Sequence, residues 1–181
     1  MAEATAGVTP VYGKDHVLLF RLFKDREKKN ATKLALQTTH TWKFEAKSDS
    51  TETKDGSINS PATATATLDI EAVSSLDDVN TFLKQAVLDS EKLEVWDVNL
   101  ADEQGEGKYG ASYGQGYLQS WEVPSEVGKL TNIKTTMNID QKPQDGLATF
   151  TAEQQAEIQY AFADTTPATA TSEPKKAANT K

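Results

Sequence analysis

The chain has 181 residues, of which 37% are hydrophobic, 27 are acidic and 19 are Lys or Arg, giving a formal net charge of −8, and it contains no cysteine. That length suits one domain with a core and extensions, and an apolar content below the roughly 45–50% of an average globular chain places some segments outside that core. The acidic balance excludes a protein that holds nucleic acid through clustered Lys and Arg, and the missing thiols exclude disulfides, thiolate nucleophiles and Cys-based zinc sites, as suits a reducing cytoplasm.

The N-terminal MAEATAGVTPVYG lacks the basic start and apolar run of a signal peptide, and no segment reaches the roughly 20 apolar residues of a membrane span. The expectation is a soluble product with no membrane partner. Residues 1–12 are small, polar and interrupted by Pro10, and read as a flexible arm; the folded domain is expected over 13–163. VLLFRLF, residues 17–23, is an apolar run broken only by Arg21, and KDREKKNA follows as a charged turn. KLALQTT and HTWKFEA resume extended character, with Trp42, Phe44 and Ala46 on one face.

Residues 47–61, KSDSTETKDGSINSP, hold one strongly apolar residue, Ile58. They cannot supply a core and read as a long polar loop, 48–60. ATATATLDIEAV alternates through Ala62, Ala64, Ala66, Leu68, Ile70 and Ala72, the period of a strand with one buried face. SLDDVNTFLKQAVLDS reads as a helix: Ser75 is its expected cap, Asp77 and Asp78 suit its positive end, and Leu76, Val79, Phe82, Leu83, Ala86 and Val87 recur at helical spacing. KLEVWDVNL predicts a strand with Trp96, Val98 and Leu100 on one side and Leu93 and Val95 on the other, both faces covered.

GEGKYGASYGQGY contains a literal G-x-G-x-x-G in Gly105, Gly107 and Gly110. A phosphate loop needs a helix directly after those glycines, but Gly114 and Gly116 weaken a helix and Tyr117, Trp121 and Val123 alternate as in a strand. The stretch therefore reads as a loop, anchored by its tyrosines, that enters a strand. KLTNIKTTMNID predicts a further strand with Ile133, Met137 and Ile139 on one face, and QKPQDG a turn. LATFTAEQQAEIQYAF suits helix and strand alike, and residues 164–181, rich in Pro, Ala, Thr and Lys, read as a disordered tail. The sum is a mainly β, antiparallel domain with one flanking helix.

Catalytic signals are weak. His16 and His40 are the only imidazoles and lack metal-ligand spacing, so solvated or hydrogen-bonded histidines are expected. GASYG lacks the strand-to-helix elbow of a nucleophilic serine. Acidic pairs such as Asp69/Glu71 and Asp77/Asp78 are explained by a solvated strand face and a helix start, and DSTETKDGS misses the spacing of a calcium loop. No catalytic, cofactor-binding or metal residue is assigned, and the expectation is a self-assembling protein and not an enzyme, because strand edges invite pairing with a neighbouring copy.

Taken in order, GKDHVLLFRLF, KLALQTTHTWKFEAKSDSTETKDGS, LEVWDVNL, GKYGASYGQGYLQSWE and GLATFTAEQQAEIQYAFADT resemble the major tail tube proteins of siphophages that infect Gram-positive bacteria, the lactococcal type above all. The resemblance covers residues 13–165. It implies a β-sandwich or barrel-like domain closing into a hexameric ring whose copies stack into a tube that DNA traverses without specific binding. It further implies an inter-ring contact loop of Ser48, Asp49, Ser50, Thr51, Glu52, Thr53, Lys54, Asp55 and Gly56, and subunit contacts at Tyr109, Tyr113 and Tyr117. Implied partners are a tape-measure protein and tail terminator and tip proteins, and the implied location is the virion tail after synthesis in the cytoplasm of the infected bacterium. The competing reading is a carbohydrate- or cell-surface-binding β-sandwich that stacks sugars on Trp42, Trp96, Trp121 and the tyrosine-rich stretch.

Overall fold

The computed structural model describes residues 11–105, 107–151 and 154; most of the expected N-terminal arm and all of the expected C-terminal tail lie outside them. Among the described residues the strands and the α-helix follow in the order β1 His16–Leu22, β2 Thr32–Lys33, β3 Gln37–Glu45, β4 Ser48–Thr53, β5 Gly56–Pro61, β6 Thr65–Val73, α1 Asp78–Leu88, β7 Leu93–Gly105, β8 Lys108–Leu118, β9 Asn132–Ile139 and β10 Gln144–Thr149. One antiparallel sheet has the order β2-β1-β7-β8-β9-β6-β3, with β10 added beside β8.

Alternation sets what each strand buries. In β6 the expected face of Ala66, Leu68, Ile70 and Ala72 is buried. Their partners in β9 are Ile139, Met137, Thr135 and Ile133, buried on the same face. Leu18 and Phe20 from β1, and Leu93 and Val95 from β7, complete a core that α1 covers with Val79, Leu83 and Ala86. The opposite face of β1, β7 and β8 carries a smaller cluster of Leu19, Val98, Tyr109 and Phe150, with Trp96 and Leu100 against it. Both faces of β7 are therefore covered, as its residue pattern requires.

The sheet curls until its ends meet. Gln37 on β3 accepts the Leu18 N–H of β1 at 3.1 Å through Oε1. The contact between these strands is made by side chains, since among the described residues β3 exchanges ladder bonds with β6 alone.

Four expectations need correction. Residues 48–60 are no open loop: β4 and β5 pair in register from Ser48↔Pro61 to Thr53↔Gly56. Alternating Ser and Thr suit an exposed ladder although they bury nothing. The helix is capped by Asp77, whose Oδ1 accepts the Asn80 N–H at 2.7 Å, while Ser75 donates to Asp77 Oδ2 at 2.6 Å and Leu76 lies fully exposed before the first turn. The glycine-rich stretch is a hairpin and a strand: Gly105 pairs with Lys108, and Gly107, at φ 68°, takes the left-handed conformation that such a tight turn demands. Finally, Gln144, Asp145 and Gly146, expected in a turn, belong to β10.

Candidate functional site

The β4–β5 hairpin exposes every residue of both strands. Its tip is held locally, the Thr53 hydroxyl donating to the Gly56 carbonyl at 2.6 Å, and Ser50 and Ser57 hydroxyls bridge the strands at 2.5 Å. Ile58 is its one large apolar side chain and is 60% exposed. A two-stranded ribbon without a packed face is marginal alone in water.

The three tyrosines are not equivalent. Tyr109 is buried in its own chain, its ring 5.3 Å from that of Phe150. Tyr113 donates from its hydroxyl to Glu94 Oε1 at 2.7 Å and sets its ring 5.1 Å from Trp96; burial first, and then the Glu94 carboxylate, raise its pKa. Glu94 is in turn paired with Arg21 at 2.8 Å, and the Arg21 guanidinium lies over the Trp96 ring. Tyr117 alone of the three is exposed. The tryptophans are half-buried against the two clusters.

The outward faces of β3, β6 and β9 form a polar surface. Lys43 pairs with Asp69, which also accepts the Thr136 hydroxyl at 2.7 Å, and Lys134 pairs with Glu71 at 2.9 Å. Hydrogen bonding to Asp69 and to Glu71 raises the pKa of Lys43 and Lys134 respectively, and the Lys43 and Thr136 bonds lower that of Asp69. Among the described residues, β3 at the border of this surface has a ladder partner on one edge only, and so does β10 beside β8.

At one end of the main core a polar cluster has formed that sequence reading missed. Asp97, on the inner face of β7, accepts from His16 Nδ1 at 2.9 Å, His40 Nε2 at 3.2 Å and Trp42 Nε1 at 2.9 Å. Burial pushes the Asp97 carboxyl up, but the His40, His16 and Trp42 bonds outweigh it and hold its pKa below the ordinary value. The two histidines lie 81 and 57 residues from Asp97 in sequence, and their common signal was only that all three belong to core-facing strand positions. His16, His40 and Asp97 have the ligand types of a cation site and lie close enough for one.

A family model described as phage tail tube protein matches residues 10–145. The chain belongs to the phage tail tube protein family. A putative tail protein of Staphylococcus phage phiMR25 is 29% identical over 163 residues, 86% of this tail tube protein and 83% of that relative. In fold it is similar to the SPP1 tail tube, at 18% identity with a TM-score of 0.69 over 91% of this chain and 96% of the other. The tail of an empty gene transfer agent particle, refined with C6 symmetry, matches at 13% identity and a TM-score of 0.57 over 78% of this chain and all of the other. As a tail tube protein it is a structural component of the phage tail and not an enzyme, and the mainly β architecture with one helix is the fold its sequence implied.

Proposed function

We propose that copies of this tail tube protein close head to tail into hexameric rings that stack as the tube of a long, non-contractile tail, of the lactococcal-phage type, serving a Gram-positive host. The observation that carries this reading is β3, whose outer edge, beyond the side-chain contact with β1, has no ladder partner among the described residues and runs directly into the fully exposed β4–β5 hairpin. One element thus offers backbone groups to a neighbour in the ring and a ribbon to the next ring. A head-to-tail contact closes as a ring, and stacking extends it without limit. The six-fold count follows the C6 symmetry of the gene transfer agent tail that shares the fold.

Ser48 to Gly56 make the inter-ring contact in this reading. Tyr117 is the tyrosine available to a neighbouring subunit, while Tyr109 and Tyr113 brace the strand that carries it. The polar surface of β3, β6 and β9 lines the lumen, since the reverse face of these strands is covered by α1 and the core. DNA passes there only in transit, a tape-measure protein sets the length of the tube, and terminator and tip proteins are its further partners.

Negative-stain microscopy and sedimentation of the concentrated chain test the proposal. Rings or tubes are the expected result. A monomer at every concentration and salt, binding glycans through its aromatic residues, would replace it with the carbohydrate-binding reading.

A further inference from the structure

We propose that three exposed leucines at one end of the subunit, Leu36, Leu76 and Leu130, form a socket that receives the β4–β5 hairpin of a second copy and seats its Ile58. The inference rests on the ring-stacking reading above and adds to it the surface on which the hairpin lands.

The strand registers place the two features at opposite ends of the same strands. Gln37 of β3 lies across from Ala72 of β6, and Glu45 across from Thr65, so β3 starts where β6 finishes. β9 starts at that end too, with Asn132 across from Val73. The hairpin leaves from the other end, between Glu45 and Thr65, where the Ala62 N–H donates to the Lys47 carbonyl at 2.8 Å. Strands of six residues make it about 20 Å long. Every residue of both strands is exposed, so the ribbon stands clear of the sheet.

At the far end three segments are tied to one dipeptide. The Val73 N–H donates to the Leu36 carbonyl at 3.0 Å, and the Ser74 N–H to the Thr131 carbonyl at 2.8 Å. Leu36 is itself one partner, Leu130 precedes the other, and Leu76 follows shortly after Ser74. Leu36 is 60% exposed, Leu130 78% and Leu76 fully. The turn closed by Glu126 and Lys129 lies just before Leu130 and adds Val127, also fully exposed. Single exposed aliphatic groups are ordinary on a protein surface, but several gathered at one end mark a contact surface.

The occupant that fits is the same chain. A ribbon with one large apolar side chain has no face to pack on, and the leucines have no side chain seated among them. Each feature supplies what the other lacks. Because they lie at opposite ends of β3 and β6, a head-to-tail repeat brings them together at every step without a second kind of protein.

The chain has no cysteine, so disulfide trapping tests the contact in the whole protein, a disulfide closing only where Cα atoms come within about 7 Å. Ile58→Cys is combined in turn with Leu36→Cys, Leu76→Cys and Leu130→Cys, and assembled tubes are oxidised and run on denaturing gels without reductant. At least one pair should give a ladder of linked chains, since every copy carries both partners. An equal mixture of the matching single variants should stop at dimers. Ile58→Cys with Leu88→Cys, exposed at the other end of α1 from Leu76, should give no ladder. Leu76→Ser with Leu130→Ser should melt as the wild type does, because both side chains are exposed, yet lose tubes from the pellet. The socket is overturned by tubes of all three pairs without a ladder, by an equal ladder through Leu88, or by normal tubes from the double Ser variant. Dimers from a single socket variant alone would overturn it in favour of head-to-head contact. Wild-type tubes with any of these results leave the stacking reading standing, whereas a wild-type chain that never assembles overturns both. Trapping decides if the Ser variant fails to fold, and the Ser variant decides if the cysteines block assembly.

Discussion

At Asp97 the direction of the pKa shift dictates a pH dependence. An unfolded aspartate titrates near its ordinary value of about 3.9, and the folded carboxyl is held lower by His40, His16 and Trp42 despite its burial. Between those values the unfolded chain binds more protons, so the contribution is fully present above the ordinary pKa and is lost as pH falls through the folded one. Asp97→Asn should cost about 1–3 kcal/mol at pH 7, the penalty of leaving buried donors poorly partnered, and its deficit relative to wild type should shrink toward pH 2–3. Urea melts of both proteins at the two pH values check this; a deficit independent of pH would separate the stability from the carboxylate charge. Gly116 makes a steric prediction. A Cβ there would lie 1.8 Å from the Asn138 carbonyl oxygen, a backbone atom that cannot swing aside. Gly116→Ala should therefore destabilise by about 3 kcal/mol, at the upper end for overpacking, and a melting temperature equal to wild type would mean that β8 and β9 are less close than described.

At the scale of elements, the helix and the hairpin fail in different ways. Leu83 is 1% exposed inside the core, whereas Phe82 only borders it. Leu83→Ala should cost about 2–5 kcal/mol and Phe82→Ala less, an order that thermal melts of the two variants check. The 3.6-residue period revealed which side of α1 is apolar but not how deep each position sits, which depends on how the helix lies across the sheet. Strands with a buried face were legible for the same reason: Ala66, Leu68, Ile70 and Ala72 alternate because one side meets the core. The β4–β5 ribbon was illegible, since absence of apolar residues signals absence of a core and says nothing about local pairing. The Asp97 cluster was illegible because β1, β3 and β7 bring its members together only after the sheet has curled. Replacing Ser48 to Pro61 by a short Asn-Gly turn tests the hairpin, whose removal exposes no core. Circular dichroism and melting should stay near wild type while microscopy shows loss of stacked rings; normal tubes would reduce the hairpin to a surface insertion.

For the whole molecule the question is how a tube wall lets DNA slide. The net charge of −8 repels phosphate at a distance of about a Debye length, roughly 8 Å at physiological salt, but contact is governed by the groups on the wall itself. On the face assigned to the lumen, the two lysines described above are each paired with a carboxylate, Lys43 with Asp69 and Lys134 with Glu71. Such exposed pairs add little to stability. Their consequence is that neither cation is free to replace counterions on DNA, which is what retention requires. Asp69→Asn with Glu71→Gln leaves both lysines in place and unpaired, and removes two negative charges per copy, repeated around every ring. Subunits should fold and tubes form as in wild type, because the substituted side chains are solvent-facing amides of similar shape. Wild-type tubes should release duplex DNA at about 0.15 M salt, whereas the variant tubes should hold it and let go only as salt is raised. Co-sedimentation of tubes with labelled duplex across a salt series reads both. Equal release by variant and wild-type tubes would mean that this face does not line the lumen, and strong retention by wild-type tubes would mean that charge pairing is not what keeps the path clear.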